Sequence, residues 1–207
     1  MELANLAVFA SGSGTNFQAL IDKIHKQGIA KITTLISDNP GAYALQRAAD
    51  AGIDACFIDY RKLGPQEFFQ VASKILKKAD TNYIALCGFL KIVPKSLVDE
   101  YPNRILNIHP SLIPSFCGDG AYGIAVHEAA INYGVKVSGA TVHLVDYGVD
   151  TGPIVIQRPV VVENDDTPQS LQAKVLEIEH VVLPEAVELL VSGKILLEGK
   201  RAKILAK

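Results

Sequence analysis

Short apolar runs alternate with segments of helical periodicity along the first half of the chain. Apolar runs bounded by turn residues, as buried strands are, occupy residues 3–10, 32–36, 55–58, 83–86 and 105–108. Between them, residues 17–24, 43–51 and 68–78 have apolar side chains at helical spacing. This alternation predicts an α/β fold with a doubly wound, mostly parallel sheet and helices on both sides.

The pattern changes after His109. A Pro- and Gly-rich loop at 110–123 is long enough to suggest a functional role. We expect Thr167 to cap a long helix that begins at Pro168 and is kinked or broken at Pro184. The remaining predictions are a helix at 125–133, strands at 137–145 and 154–162, and a hairpin at 195–205.

Together these elements predict one Rossmann-like domain, residues 1–207, with a C-terminal antiparallel extension and a long helix. Residues 1–109 form a phosphate-binding α/β half in this interpretation, and 110–207 supply the loop, the antiparallel strands and the C-terminal helix. A length of 207 residues and a hydrophobic content of 49% suit such a domain.

Charge and cysteine content narrow the function classes. The net charge of −2 gives no bulk attraction to nucleic acid or to anionic membranes. The three Cys residues form no CxxC pair, so a disulfide scaffold or thiolate zinc site is not expected. No apolar run approaches the roughly 18 residues of a membrane span, and the start MELANLAVFA lacks a basic signal-peptide region. We therefore expect a cytoplasmic protein.

The glycine-bearing loop SGSGTN at 11–16 lies between a predicted strand and a predicted helix. Helix N-termini favour anions, and glycine allows the backbone to come close to a phosphate. The loop is neither a Walker A motif nor GxGxxG, because Phe17 stands where the third glycine would be. A phosphate site and a tight turn capped by Thr15 or Asn16 both remain open, whereas nicotinamide binding is disfavoured.

Asn107 and His109 alternate at the end of the strand at 105–108. Residues two apart on a strand face the same side, and ligands bind at the carboxyl ends of parallel strands. An amide donor beside a proton carrier suits oxyanion stabilisation and proton transfer. The alternative is a buried pair that satisfies loop backbone groups.

The other histidines are weaker candidates. We expect His25 on the surface and His127 in solvent, and leave His143 open between core and cleft. No His or Cys spacing indicates a metal site. The turn at 146–153 contains acidic residues that turn chemistry alone would explain. Its functional interpretation is that one carboxylate reaches His109 and favours the protonated imidazole.

Five segments resemble the phosphoribosylglycinamide formyltransferase family of purine biosynthesis. They are ASGSGTNFQALID at 10–22, LCGFLKIVP at 86–94, ILNIHPSLIPSFCG at 105–118, SGATVHLVDYGVDTGPIVIQ at 138–157 and EHVVLPEAVELLVSGKILLEGKR at 179–201. The Asn-x-His-Pro-Ser-Leu core is shared with methionyl-tRNA formyltransferase and formyltetrahydrofolate deformylase. The Gly-Ser-Gly-Thr-Asn loop and the compact length favour the glycinamide enzyme.

The resemblance implies formyl transfer from 10-formyltetrahydrofolate, a cosubstrate, to phosphoribosylglycinamide, with no metal. Asn107, His109 and Asp150 would be catalytic. Gly14, Thr15 and Asn16 would bind the substrate phosphate, and Glu179 its glycinamide or ribose end. The folate pocket would involve Leu90, Lys91, Ile92, Val93, Asn107, Val145, Asp146, Val149 and Asp150. Partners would be small molecules only, and the protein a monomer or homodimer.

Three positions depart from the family pattern: Gln66 and Lys91 stand where arginine is frequent, and Asp119 where lysine is frequent. These put a folate contact and any phosphate role of the loop at 117–123 in doubt. Alternatives are a formylfolate hydrolase, a non-catalytic nucleotide- or folate-binding module, and a nicotinamide oxidoreductase. The phosphate loop distinguishes the transferase from the hydrolase, which does not need one.

Overall fold

The structure, a computed structural model, describes residues 3–205. Met1 and Glu2, which enter the signal-peptide argument, lie outside the described residues. The backbone forms two compact units, Met1–Leu106 and Asn107–Lys207. Their boundary lies inside the fifth strand, three residues before the division expected at His109.

The first unit contains a parallel sheet with strand order β3-β2-β1-β4. The four strands expected here are confirmed. The strands are β1 Ala4–Phe9, β2 Ala30–Ser37, β3 Asp54–Phe57 and β4 Tyr83–Leu86. The helices are α1 Thr15–Leu20, followed by a π-helical turn at Ile21–His25, α2 Tyr43–Asp50, α3 Tyr60–Lys78 and α4 Lys95–Glu100.

Aromatic side chains fill the core of this unit near the ends of β1 and β4. Phe9 meets Phe89 edge-on at 5.1 Å, and Phe68 stacks on Phe89 at 6.0 Å. Such pairs add about 0.5–1.5 kcal/mol beyond their area burial. The glycine-bearing loop follows Phe9 and the segment after β4 contains Phe89, so the packing of these rings positions both segments.

Helix α3 begins eight residues earlier than the apolar periodicity predicts. The Asp59 carboxylate caps it by accepting from the backbone N–H groups of Arg61 and Lys62, both at 3.0 Å. Gly64, at φ 74°, then turns the chain before Pro65. The predicted helix at 68–78 is therefore the part of α3 that follows this kink. Helix α4 was not predicted.

The second unit begins within β5, Ile105–His109, and continues through the irregular segment at 110–123. Strand β6 pairs antiparallel with β7, and β9 pairs with β7 in parallel and with β8 antiparallel. The elements are α5 Ile124–Tyr133, β6 Val137–Leu144, β7 Ile154–Val161, α6 Pro168–Val191, β8 Ile195–Glu198 and β9 Arg201–Ile204. The predicted antiparallel strands, long helix and closing hairpin are confirmed.

Helix α6 is capped as predicted but is not broken at Pro184. Thr167 accepts from the Ser170 N–H and completes a capping box. A proline inside a helix costs about 3 kcal/mol. Leu183 and Val187, both fully buried, offset this cost, since each buried aliphatic side chain contributes about 1.5–3 kcal/mol. Among residues 3–205, no helix is long and apolar enough to cross a membrane.

Candidate active site

Asn107, His109 and Asp150 lie together in the second unit. His109 Nδ1 is 3.5 Å from Asp150 Oδ2, and Asn107 Nδ2 is 3.5 Å from Asp150 Oδ1. Alternation along β5 directs Asn107 and His109 to one side. The sequence expectation that a carboxylate of the acidic turn approaches His109 is therefore met by Asp150. Their catalytic roles stay a prediction.

His143 is a further member of this cluster that sequence analysis left open. Its Nε2 lies 3.1 Å from Asn107 Nδ2 and 3.4 Å from Asp150 Oδ1. Its Nδ1 lies 2.9 Å from the carbonyl oxygen of Leu144, which can only accept, so we place a hydrogen on Nδ1. Nε2 therefore lies within 3.4 Å of both the Asn107 amide and the Asp150 carboxylate, between which it is placed. His143 stands near the end of β6, just before the acidic turn that contains Asp150. This position in the sequence could have indicated that His143 lies close to Asp150.

The long loop after β5 holds two members of the cluster through its backbone. The carbonyl oxygen of Phe116 lies 2.9 Å from His109 Nε2, so this nitrogen carries a hydrogen and donates it. The N–H of Gly118 donates to Asp150 Oδ2 at 3.0 Å. The Pro- and Gly-rich loop therefore fixes an imidazole and a carboxylate, which side-chain patterns alone could not reveal.

Burial and hydrogen bonding set the charge states of this cluster. Burial lowers the pKa of His109 and outweighs the opposing effects of the Phe116 carbonyl and Asp150. The expected direction of the Asp150 effect, which favours protonated His109, is confirmed, but burial outweighs it and the net pKa of His109 is lowered. Burial alone would raise the pKa of Asp150, but its contacts with His143, Gly118 and His109 together lower it. The cluster therefore combines an ionised carboxylate with an imidazole biased toward its neutral form.

His127 is buried rather than solvated, which corrects the sequence expectation. Only 1% of the residue is exposed, and its Nδ1 has no hydrogen-bond partner among the described residues. Burial, together with the charge of His109, lowers the pKa of His127 to about 4. The adjacent Glu128 suggested an exposed position, but α5 turns His127 to the interior beside Val126.

We expect the chain to lose stability as pH falls from 6.5 toward 4. In the unfolded chain His127 takes up a proton near pH 6.5, whereas in the folded chain it takes one up only near pH 4. Between these pH values the unfolded state binds more protons, so the free energy of unfolding decreases as the pH falls. The loss is roughly 3 kcal/mol from His127 alone, and His109 adds in the same direction. Urea unfolding between pH 7.5 and 4.5 measures it. The His127→Leu variant should show a flatter pH dependence, and an unchanged one would contradict this origin.

The glycine-bearing loop of the first unit leads directly into α1. Gly14, at φ 69°, is the N-cap residue, and no side chain caps the helix. The cap expected at Thr15 or Asn16 is therefore wrong, because the helix already begins at Thr15 and Gly14 before it takes a left-handed conformation at no steric cost. Thr15 is half-buried and Asn16 is buried within the first turn. The first-turn N–H groups thus lack the side-chain acceptor that usually satisfies them.

Replacing Gly14 by alanine is expected to destabilise the chain by roughly 1–3 kcal/mol. A Cβ there would lie 2.7 Å from Ala44 Cβ and 2.9 Å from Ala44 Cα, in a strained backbone conformation. Thermal unfolding measures the loss. Gly12→Ala is the matched control, because a Cβ at Gly12 meets nothing within 4 Å. Equal melting temperatures for the two variants would contradict the close approach.

The segment after β4 leaves apolar side chains uncovered. Leu90 is 51% exposed and Ile92 61% exposed, while Val93 is buried. The backbone N–H of Leu90 donates to Ser11 Oγ at 3.1 Å, which ties this segment to the glycine-bearing loop. A simple core connection between β4 and α4 would bury these residues. Their exposure is instead typical of a ligand-binding wall.

Lys91 is held by two neighbours within the same unit. Its Nζ lies 3.4 Å from Asp38 Oδ2 and 4.9 Å from the centroid of the Tyr60 ring. Both contacts restrain a side chain that would otherwise be flexible. A lysine at this position therefore keeps a fixed positive charge, although it cannot form the two-pronged contact of arginine.

The acidic turn combines internal hydrogen bonds with an exposed outer surface. Asp146 accepts from the N–H of Gly148 at 3.0 Å and from Thr151 Oγ1 at 2.6 Å. Its carboxylate thus shapes the turn. Val149 is exposed, and Val145 is half-buried. Asp150, unlike Asp146, is directed to the histidine cluster.

Glu179 lies on α6 and is buried, with 7% of the residue exposed. Glu179 therefore does not lie on a solvated face of the helix. Among residues 3–205, no group of three or more His, Cys, Asp or Glu side chains could hold a metal ion.

Comparison with known proteins identifies the family. Residues 4–187 match the family model described as formyl transferase. The chain belongs to the formyl transferase family. A glycinamide ribonucleotide transformylase 1 from Symbiobacterium toebii is similar in structure, with a TM-score of 0.92 and 38% identity, over 99% of this chain and 95% of its own. The α/β fold class, with a mostly parallel sheet, antiparallel C-terminal strands and a long helix, is thereby confirmed.

Curated proteins are also similar to this chain in sequence. A chloroplastic phosphoribosylglycinamide formyltransferase from Vigna unguiculata is 37% identical over 92% of this chain and 62% of its own length. The trifunctional purine biosynthetic protein adenosine-3 from Drosophila melanogaster is 39% identical over 93% of this chain. The chain spans only 14% of that multifunctional protein.

Proposed function

We propose that the chain transfers the formyl group of 10-formyltetrahydrofolate to the amine of phosphoribosylglycinamide. The products would be formylglycinamide ribonucleotide and tetrahydrofolate, in purine biosynthesis. The observation that carries this proposal is the convergence of Asn107, His109 and Asp150, with an amide, an imidazole and a carboxylate within 3.5 Å contacts. Relatives that carry the matching name support the choice of acceptor.

The substrate contacts follow from the resemblance and are supported by local structure. Gly14, Thr15 and Asn16 would bind the substrate phosphate, where α1 begins without a side-chain cap. Glu179 would contact the glycinamide or ribose end. The folate would use the exposed Leu90 and Ile92. Its other proposed contacts are Lys91, Val93, Asn107, Val145, Asp146, Val149 and Asp150.

Attack of the amine on the formyl carbon would form a tetrahedral oxyanion directly. The amine resembles a free α-amino group with a pKa near 7.7–8.0, so a useful fraction is neutral at pH 7. Asn107 Nδ2 and His109 Nε2, which carry hydrogens, would donate to the oxyanion after leaving their present acceptors. Losing one such donor typically costs about 2.7–4 kcal/mol.

The proton balance assigns Asp150 the role of carrier. Its ionised carboxylate, favoured by its lowered pKa, can accept a proton from the attacking amine directly or through a water. As the bond between the formyl carbon and folate N10 breaks, N10 takes up that proton. The oxyanion then reforms a carbonyl on the new amide, and no covalent enzyme intermediate is needed.

Incubation with both substrates tests the proposal. We expect tetrahydrofolate and formylated glycinamide product to appear in equal amounts. Release of tetrahydrofolate without formylated product would identify a formylfolate hydrolase instead. Trapping of a formyl group on Ser111 or Cys117 would contradict direct attack.

We also propose that residues 1–207 act as one formyltransferase domain with small-molecule partners only, without a metal, as a cytoplasmic monomer or homodimer. Size-exclusion chromatography with light scattering tests the oligomeric state. Activity that is unchanged after metal chelation would support metal-independent transfer.

A further inference from the structure

The second unit contains a cavity of about 720 Å³ whose lining includes Val149 and Asp150, while its other lining residues have no role in the proposed reaction. Three segments line it: 113–117 of the long loop, 149–154 after the acidic turn, and 200–203 of the C-terminal hairpin. A volume of this size is in the range of small-molecule sites, which are roughly 300–1,000 Å³. The cavity touches Asp150 but extends away from the histidine cluster toward the hairpin.

The hairpin gives this cavity a positive side. Lys200, Arg201 and Lys203 are consecutive or near-consecutive and all are exposed. Lys203 pairs with Glu198 at 2.6 Å, while the Lys200 ammonium lies 3.5 Å from the carbonyl oxygen of Thr151. Within the described part of the chain, neither Lys200 nor Arg201 pairs with a carboxylate, so both charges remain available to an anion.

Apolar side chains form much of the remaining lining of the cavity. Ile113, Pro114, Val149 and Ile154 contribute to it. Its one carboxylate, Asp150, already accepts from the Gly118 N–H at 3.0 Å and faces His109 and His143. The Asp150 carboxylate therefore makes its contacts with the histidine cluster and the long loop, and it pairs with neither Lys200 nor Arg201.

The wall next to Asp150 is formed before any ligand arrives. Gly152 is buried, and a Cβ at this position would lie 1.8 Å from the carbonyl oxygen of Leu144. The Leu144 N–H also donates to the Pro153 carbonyl oxygen at 2.9 Å. Arg201 is held beside Ile154, because the backbones of these two residues pair. Preformed walls reduce the ordering cost of binding.

We propose that this cavity is a binding site for a small amphipathic organic anion, with an apolar body and a carboxylate, phosphate or sulfonate group. Its apolar part contacts the wall formed by Ile113, Val149 and Ile154. Its anionic group pairs with Lys200 and Arg201. The site shares Val149 and Asp150 with the folate contacts proposed above, whereas Ile113, Ile154, Lys200 and Arg201 belong to neither the folate nor the glycinamide contacts.

Fluorescence titration with 1-anilinonaphthalene-8-sulfonate tests this site, because the probe has an aromatic body and one sulfonate. We expect one site whose affinity falls about tenfold or more in the Lys200→Gln/Arg201→Gln variant, since the two lost charged contacts together are worth at least that factor. The Arg61→Gln/Lys62→Gln variant is the matched control. It removes the same charges from an adjacent exposed pair on α3 and should bind as the unmodified chain does.

Ala202→Phe provides a second, charge-neutral variant that fills the cavity from the hairpin side. We expect it to weaken probe binding as well, with an unchanged melting temperature. Binding that is unaffected by both cavity variants would overturn the proposal. An equal loss in the control variant would also overturn it, because bulk charge would then explain the effect. Inorganic phosphate should compete with the probe, and a failure to compete would exclude the cations as the anion contact.

Discussion

Replacement of Asp150 by asparagine is expected to lower kcat by about 10²–10⁴-fold. Asparagine keeps the shape of the side chain and can still accept from the Gly118 N–H through its amide oxygen. It cannot take up the proton of the attacking amine at neutral pH. Steady-state assays of formyl transfer should therefore show a large loss in kcat with little change in the KM for formylfolate.

Asp165→Asn is the matched control for this variant, because Asp165 is exposed and lies outside the candidate site. It should transfer formyl groups at the unmodified rate. Near-normal turnover by Asp150→Asn would remove Asp150 from the catalytic group. A rise in the KM for formylfolate with unchanged kcat would instead assign it to binding alone.

Replacement of Asn107 by leucine should cost about 10²–10³ in kcat, the loss typical of one oxyanion donor. Leucine has a similar shape but removes the Nδ2 group that faces His143 and Asp150. The variant also removes the contacts of Asn107 with His143 Nε2 and with Asp150 Oδ1, so the Asp150 carboxylate that carries the proton is held less firmly. Single-turnover kinetics would separate this loss in the chemical step from substrate binding.

Asn132→Leu supplies the same substitution at an exposed position on α5 and should leave turnover unchanged. Circular dichroism would check that both variants are folded. A loss of less than tenfold in Asn107→Leu would show that Asn107 does not stabilise the oxyanion. His109 would then be the main donor.

Much of the fold could be predicted because apolar runs and turn residues encode it locally. The antiparallel strands β6 and β7 and the Thr167 cap of α6 follow from alternation and from capping chemistry. The errors occur where tertiary contacts override local preference. Pro184 remains inside a continuous helix because α6 buries its apolar side, and α3 begins before the kink at Gly64 because Asp59 caps it.

The candidate site was predictable only in part. Asn107 and His109 share a strand face, which a period of two reveals. Asp150 follows Asn107 by 43 positions in the sequence, and no local pattern predicts that their side chains meet. The roles of His143 and of the Phe116 carbonyl depend on loop geometry, and the net pKa shift of His109 depends on burial. The family resemblance named Asn107, His109 and Asp150, and the structure adds the contacts and the burial around them.

A crystal structure with phosphoribosylglycinamide and a formylfolate analogue that has carbon in place of N10 tests the central claim most directly. Such an analogue cannot release its formyl group, so the reacting atoms remain in place. We expect Asn107 Nδ2 and His109 Nε2 to lie about 2.7–3.2 Å from the formyl oxygen, with the Phe116 carbonyl released. A formyl oxygen remote from both donors, with His109 still bound to Phe116 and Asn107 still bound to His143, would contradict the account.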